Sequence, residues 1–225
     1  MPGDTVIASD GAGIDYTVRL ETVGAAATGT ILASVRRLTE SPLDVTLLQG
    51  VPKGDKMETI VRATTELGVA RIWPVLTERT IVRLEPSRWR ERARRWQRVA
   101  KEATKQCGRA VIPDVAIPRP LTEVLATLPE PIPGERRVCL WEGEAPPLRS
   151  ILDDLPTRGA PSSAPWLLLV GPEGGLGQGE VDAARARGFA TVSLGPRVLR
   201  TETAGPTIVA LVQFVLGDIG SARDG

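Results

Sequence analysis

The last quarter of the chain constrains the fold most. Residues 166–170, WLLLV, form a short apolar run that stops at Gly171-Pro172-Glu173-Gly174-Gly175. That is the pattern of a buried strand ending in a glycine-rich turn. A helix over about 180–187 and a second strand over 190–194 follow, and then the arrangement repeats: Gly195-Pro196, residues 197–203, and an apolar helix. Two strand ends therefore present two Gly-Pro loops. Open α/β proteins take their ligands in such loops, at the carboxyl edge of a parallel sheet. Glycine lets the main-chain N–H and C=O groups reach a small molecule, and the next helix N-terminus adds partial positive charge. No Gly-Lys-Ser/Thr follows, which excludes a phosphate loop, and Gly175-Leu176-Gly177-Gln178-Gly179 lacks the dinucleotide spacing. Spacing alone leaves open the plainer reading, in which these glycines only close tight turns.

Upstream, residues 5–8, 16–20 and 30–38 are short β-like runs separated by glycine-rich stretches at 10–13 and 24–29, which predicts a small β domain over 1–40. Glu40-Ser41-Pro42 reads as a linker, and an α/β domain over 41–225 begins there. Residues 44–51 predict a strand. The following helix carries Met57, Ile60, Val61, Thr64 and Leu67 on one face and is closed by Gly68; residues 69–76 predict the next strand. One helix between two strands implies a parallel pair. Lys53 and Lys56 at the strand end could meet phosphate or be solvated. Residues 138–141 predict another strand, so three strand ends, after Trp141, Val170 and Leu194, are candidates to lie side by side. Residues 156–165 read as a flexible loop.

A long helix is expected from Ser87, as N-cap, to about Cys107, burying Trp89, Ala93, Trp96, Ala100, Ala103 and Cys107 as a stripe. Composition matters here. Lys plus Arg number 28 and Asp plus Glu 27, a net charge of +1, so any nucleic-acid surface needs local segregation of charge. This helix supplies it. Arg88, Arg92, Arg95, Arg98, Lys105 and Arg109, among other cations, face few acids and can neutralise phosphates; a solvated face is the alternative.

The chain has no histidine, which excludes Ser-His-Asp and Cys-His mechanisms and a histidine-bound metal. Cys107 and Cys139 form no ligand cluster, no metal is expected, and the sequence reads as cytosolic, without signal segment or membrane span.

VGPEGG, a following Glu180 and SLGPRVLRTETA resemble the signature of RsmE-type small-subunit ribosomal RNA methyltransferases of the SPOUT superfamily. Weaker similarity continues upstream through KGDKMETIVRATTELGV, TERT, RW and EATKQCGRAVIP. The resemblance implies an α/β fold with a SPOUT-type parallel sheet and a C-terminal trefoil knot, plus a PUA-like N-terminal β-barrel that helps hold RNA. Relatives usually begin with a further strand and a basic loop before the segment matching Pro2-Gly3-Asp4, which leaves open whether this β domain is truncated.

The implied reaction is transfer of a methyl group from S-adenosylmethionine to N3 of a uridine in 16S ribosomal RNA. Cofactor contacts are expected from Gly171, Glu173, Gly174 and Gly175, and from Leu194, Gly195, Leu199, Arg200 and Thr201. Arg200 would stabilise charge developing on the uracil, and Glu202 would accept a proton or hold Arg200. The alternatives are helix capping for 200–203 and loop bracing for Glu173. Pro206 is expected in a first helical turn. The final helix, over about 207–216, is apolar on every side and must be covered by its own sheet or by a second subunit; a homodimer through the knot and this helix is expected. Other readings are a SPOUT enzyme acting on another RNA nucleotide, and a catalytically silent RNA-binding or ribosome-assembly protein.

Overall fold

The computed structural model describes residues 1–36, 39–153 and 164–220. The expected loop at 156–165 lies outside them, apart from Ala164 and Pro165. Two compact units are formed, one by Met1–Glu40 with Thr104–Ile112, the other by Ser41–Ala103 with Pro113–Gly225.

In the first unit, β1 (Thr5–Ser9), β2 (Ile14–Val23) and β3 (Ala27–Arg36) make an antiparallel meander. The β1–β2 turn is held by Asp10, whose Oδ1 accepts the N–H groups of Ala12 at 2.7 Å and Ile14 at 3.1 Å. The stretch 24–29, expected to separate strands, does so only in part. Ala27 to Gly29 belong to β3, because Gly29 lets the strand approach the Arg19 carbonyl, which a Cβ would meet at 2.4 Å. Glu40 completes the unit. Its Oε1 accepts the N–H groups of Ala110 at 2.9 Å and Val111 at 3.0 Å, and its Oε2 pairs with Arg109 Nη2 at 2.6 Å.

The second unit is built on a parallel sheet. Its strands are β4 (Val45–Gly50), β5 (Arg71–Leu76), β6 (Asp114–Val115), β7 (Arg119–Pro120), β8 (Arg136–Leu140), β9 (Trp166–Val170) and β10 (Ala190–Val192). The order is β10-β8-β9-β4-β5-β6, with β7 also on β5. β4 and β9 are buried along their whole length, as central strands of a parallel sheet covered on both faces are; β9 is apolar throughout, while β4 also buries Thr46 and Gln49. The helices are α1 (Lys56–Glu66), α2 (Pro86–Cys107), α3 (Leu121–Thr127), α4 (Arg149–Leu152), α5 (Gln178–Ala186) and α6 (Thr201–Leu216).

Two helices differ from expectation. α2 starts at Pro86, so Ser87 lies inside the first turn and is not the cap; the Glu85 carbonyl accepts the N–H groups of Arg88 and Trp89. Proline suits a first helical position because its missing donor would have had no partner there. Trp89 to Ala103 bury the expected stripe, whereas Cys107 is exposed. α6 begins six residues earlier than expected, at Thr201, which puts Pro206 in the second turn. Its apolar residues are covered on one side, where Ile208, Val209 and Val212 are fully buried; Leu211 and Phe214 are 38% and 58% exposed. That helix packs on α1, β4 and β9.

Glu40 gives the first unit a pH dependence. Burial pushes its carboxyl up, but the Arg109 hydrogen bond, the Val111 N–H, the Arg109 charge and the Ala110 N–H outweigh that, and it lies below its ordinary 4.5. A depressed carboxylate stabilises the fold above its unfolded value, and the contribution is lost as pH falls through the folded one. Glu40→Gln should therefore flatten the loss of stability below pH 4.5. At neutral pH it should cost about 1.5–3 kcal/mol, read from hydrogen exchange of the Ala110 and Val111 amides.

Candidate active site

β10, β8 and β9 are neighbours and parallel, so their carboxyl ends meet at one sheet edge. The three loops that leave this edge enclose a cavity of about 490 Å³ with the start of α6. Gly171, Glu173 and Gly175 line it from the loop after β9; Leu194, Gly195 and Leu199 line it from the loop after β10, and Arg200 and Thr201 from the start of α6. Gly174 is outside the lining, and its carbonyl accepts Arg79 Nη1 at 2.7 Å. Glu202 is also outside it.

Positive φ makes glycine necessary at two places on the wall, Gly175 at +70° and Gly195 at +114°. A Cβ on Gly175 would meet Glu142 Oε1 at 2.1 Å, while one on Gly195 would meet nothing within 4 Å. The first glycine admits a neighbouring carboxylate and the second leaves the cavity open.

The loops are joined by a node absent from the sequence reading. Gln49, at the end of β4 and fully buried, donates from Nε2 to the Gly50 carbonyl at 3.0 Å and to Thr201 Oγ1 at 2.9 Å. Thr201 Oγ1 donates in turn to the Gly171 carbonyl at 2.7 Å. Capping by the threonines does not occur: Arg200 is the N-cap of α6 and makes no side-chain cap. The Thr201 hydroxyl goes to the glycine loop instead.

Glu173 braces its loop. Its carboxylate accepts the Lys53 N–H at 3.1 Å and pairs with Lys56 Nζ at 3.1 Å; Lys56 also lies 3.3 Å from Glu202 Oε2. Burial pushes the Glu173 carboxyl up, but its own N–H, Lys56 and the Lys53 N–H bring it below the usual value. The hydrogen bond to Glu173, reinforced by Glu202, holds the Lys56 ammonium above its ordinary range against burial. Two further residues, Trp141 at its strand end and Glu180 in the signature, were visible in the sequence without a role at the site. Trp141 lines the cavity with Arg185 5.1 Å from its ring centre. Buried Glu180 accepts the N–H groups of Gly177 at 2.9 Å and Glu78 at 2.8 Å, tying α5 to the chain after β5.

The arginine helix divides. Arg88, Arg92, Arg95 and Arg98 line a second depression of about 440 Å³ with Leu84 and Glu91. Arg95 also pairs with Glu58 at 2.7 Å, and Arg88 with Glu91 at 3.2 Å. Lys105 is exposed but belongs to the first unit. Arg109 is a correction: its side chain is 7% exposed and bound to Glu40, so it stabilises that unit and is withdrawn from any solvent-facing patch.

A parallel sheet with a looped cavity at one carboxyl edge is the frame of an α/β protein that takes a small ligand at its strand ends. The RNA methyltransferase domain family matches residues 39–213, and the chain belongs to it. Its relatives there include proteins named ribosomal RNA small subunit methyltransferase E. The Synechocystis protein is 38% identical over 217 residues, covering 94% of this chain, and that of Bacillus subtilis 34% identical over 170 residues, covering 73%. The chain spans 66% and 63% of those two proteins' lengths. Among solved structures, the Neisseria gonorrhoeae ribosomal RNA small subunit methyltransferase E bound to S-adenosyl methionine matches with TM-score 0.83 and 33% identity, over 97% of this chain and 86% of that one.

Thr201→Val keeps the shape of the side chain and removes its hydroxyl, leaving the Gly171 carbonyl without this donor. The expected cost in urea unfolding is about 1–3 kcal/mol.

Proposed function

We propose that this chain is an S-adenosylmethionine-dependent methyltransferase acting on N3 of a uridine in the 16S ribosomal RNA of the small subunit. The observation that carries the reading is the cavity whose walls are the two Gly-Pro loops and the strand end at Trp141, in a chain whose relatives are named ribosomal RNA small subunit methyltransferase E. The cavity fits the methyl donor. Its volume of about 490 Å³ is that of a small-molecule pocket. Gly171 and Gly195 line it with backbone and no side chain, Leu194 and Leu199 offer apolar contact for a purine ring, and Gly175 and Thr201 complete the wall. Gly174 contributes through loop shape, held by Arg79.

S-adenosylmethionine, when bound, supplies an electrophilic methyl group. The protein's task is then to align a nucleophile behind that carbon and to support loss of the N3 proton. Arg200, exposed at the cavity's edge at the start of α6, is suited to stabilising negative charge on the uracil oxygens. Glu202, expected to accept a proton or hold Arg200, pairs instead with Lys56 outside the cavity lining, which counts against the first role and does not itself reach Arg200.

The wider reading follows the same line. The loops at 171–177 and 193–200 would be the crossing segments of a trefoil knot, and residues 1–40 a PUA-like RNA-holding domain. Exposed Leu211 and Phe214 on α6, with Val198 at 77% exposure, support a homodimer through the knot and that helix. No described helix is long and apolar enough to cross a membrane, and the substrate puts the enzyme's work in the cytoplasm. Arg88, Arg92, Arg95 and Arg98 form the proposed contact to RNA phosphates, with exposed Lys105 as a further cation.

Calorimetry should register S-adenosylmethionine binding to the folded protein, and RNA from a deletion strain should lack one small-subunit 3-methyluridine; its retention would remove this substrate. Arg200→Ala should lower the rate of methyl transfer by about 100- to 1,000-fold with a much smaller effect on cofactor affinity. Equal losses would contradict its substrate-side role. Replacing Arg88, Arg92 and Arg98 with Glu should weaken RNA capture and flatten its salt dependence by about one unit of slope for each phosphate no longer neutralised. Cofactor affinity should be unchanged.

A further inference from the structure

The first turn of a helix is a poor place for a cation, because its free N–H groups already carry partial positive charge. Lys56 is nevertheless the first residue of α1. Two carboxylates from two other elements account for it: Glu173 Oε1 in the loop after β9 lies 3.1 Å from its ammonium, and Glu202 Oε2 in the first turn of α6 lies 3.3 Å away. The other acids on that turn of α1 face elsewhere, Glu58 pairing with Arg95 of α2 at 2.7 Å and Asp55 standing 3.8 Å from the same guanidinium. Arg200, the remaining charge at the start of α6, borders the cavity.

Lys56 bridges the cavity wall and a residue outside it. Glu173 lines the cavity, Glu202 stands outside the lining although it follows Arg200 and Thr201 in the chain, and the ammonium reaches both. Glu202 and Glu173 are only 20% and 28% exposed, and Glu202 Oε2 is sealed from solvent. Without the ammonium, two half-buried like charges would be left close together, and their repulsion would push the outer part of the glycine loop away from α6 against the Thr201–Gly171 hydrogen bond at its base.

We propose that Lys56 is a positioning residue that clamps the glycine loop to the first turn of α6 and so fixes the spacing of the cavity walls during methyl transfer. This rests on the methyltransferase reading. Neither Lys56 nor its ion pairs need touch the substrate. A displacement of about 1 Å in a reacting group is enough to cost about 100-fold in rate, so a clamp at one remove has a kinetic signature.

Lys56→Met keeps the aliphatic stem and removes the charge, and Lys56→Arg restores a cation that reaches both carboxylates. In the cofactor-free protein, a carbon-13 titration of the Glu173 carboxyl should move to higher pH in Lys56→Met and return in Lys56→Arg, since the ammonium is one of the groups that depress it. With cofactor and RNA, Lys56→Met should lower kcat by about 100-fold with little change in KM for RNA, and Lys56→Arg should recover most of the loss. An unmoved Glu173 titration, a wild-type kcat in Lys56→Met, or an arginine variant as slow as the methionine one overturns the clamp. If Lys56→Met does not fold, Lys56→Gln carries the same comparison. A wild-type protein that transfers no methyl group would end the methyltransferase reading instead, and the titration would still decide the clamp.

Discussion

The cavity depends on a short chain of hydrogen bonds in which the Gln49 amide reaches Thr201 and the Thr201 hydroxyl reaches the Gly171 carbonyl. A buried amide or hydroxyl without partners is costly, so each of these groups constrains the position of the next. The end of β4, the loop after β9 and the first residue of α6 are thereby held within a few bonds of one another. The backbone around the node is shaped to allow it. A Cβ on Gly50 would meet Pro172 at 2.5 Å, and one on Gly205 would meet Gln49 Oε1 at 2.8 Å. Glycines at these two places are what lets α6 and the Gly-Pro loop come close enough for side chains as short as threonine to join them.

Order at the base of the loops explains how their outer parts can stay open. Two loops with positive φ, one at Gly175 and one at Gly195, carry backbone conformations that most side chains would oppose, and surrounding contacts must hold them. Some of those contacts come from the hydrogen-bonded node and some from charge. Glu173 is fastened to Lys53 and Lys56 on one side, and Arg79 to the Gly174 carbonyl on the other. Glu180 joins the far end of the same loop to Glu78. The glycine loop is thus held at 171, 173, 174 and 177, leaving its inner face, with Gly175, to the cavity.

Much of this was legible in the sequence, and the parts that were not share a cause. The strand at 166–170 and the three neighbouring strand ends follow from apolar runs stopped by glycine and proline, which are local signals. Gln49 gave no such signal, since one polar residue at the end of an apolar strand reads as an edge position. Its partner lies 152 residues away, a distance that no periodicity spans. The start of α6 was hidden for the opposite reason. Gly205 and Pro206 are strong local breakers, and the helix runs through them because Gly205 is pressed against Gln49 and Thr201 is tied to the glycine loop. Tertiary contact overrides propensity there. The same limit applied to Ser87, where a good capping residue was displaced by a proline already suited to the first turn.

Charge shows most clearly what a sequence leaves unsaid. Read along α2 and its continuation, Arg88 and Arg109 are equivalent members of one basic run in a chain whose net charge is only +1. In the folded protein they are opposites. Arg109 is enclosed with Glu40, whose other oxygen takes two backbone N–H groups, and removing either partner would leave a buried charge or unpaired amides. Arg88, Arg92 and Arg98 share an open depression whose one acid is Glu91. An arginine's availability to a phosphate is therefore set by where the acids of distant segments come to rest, not by the density of cations along the helix. Glu58 illustrates the intermediate case, drawing Arg95 toward α1 while leaving it 56% exposed. The anionic partner of such a surface would meet a graded row of cations, in which Arg88 is shared with Glu91 and Arg95 with Glu58 while Arg92 and Arg98 have no ion pair among the described residues. Its affinity would be governed by the cations left to it more than by the length of the basic run.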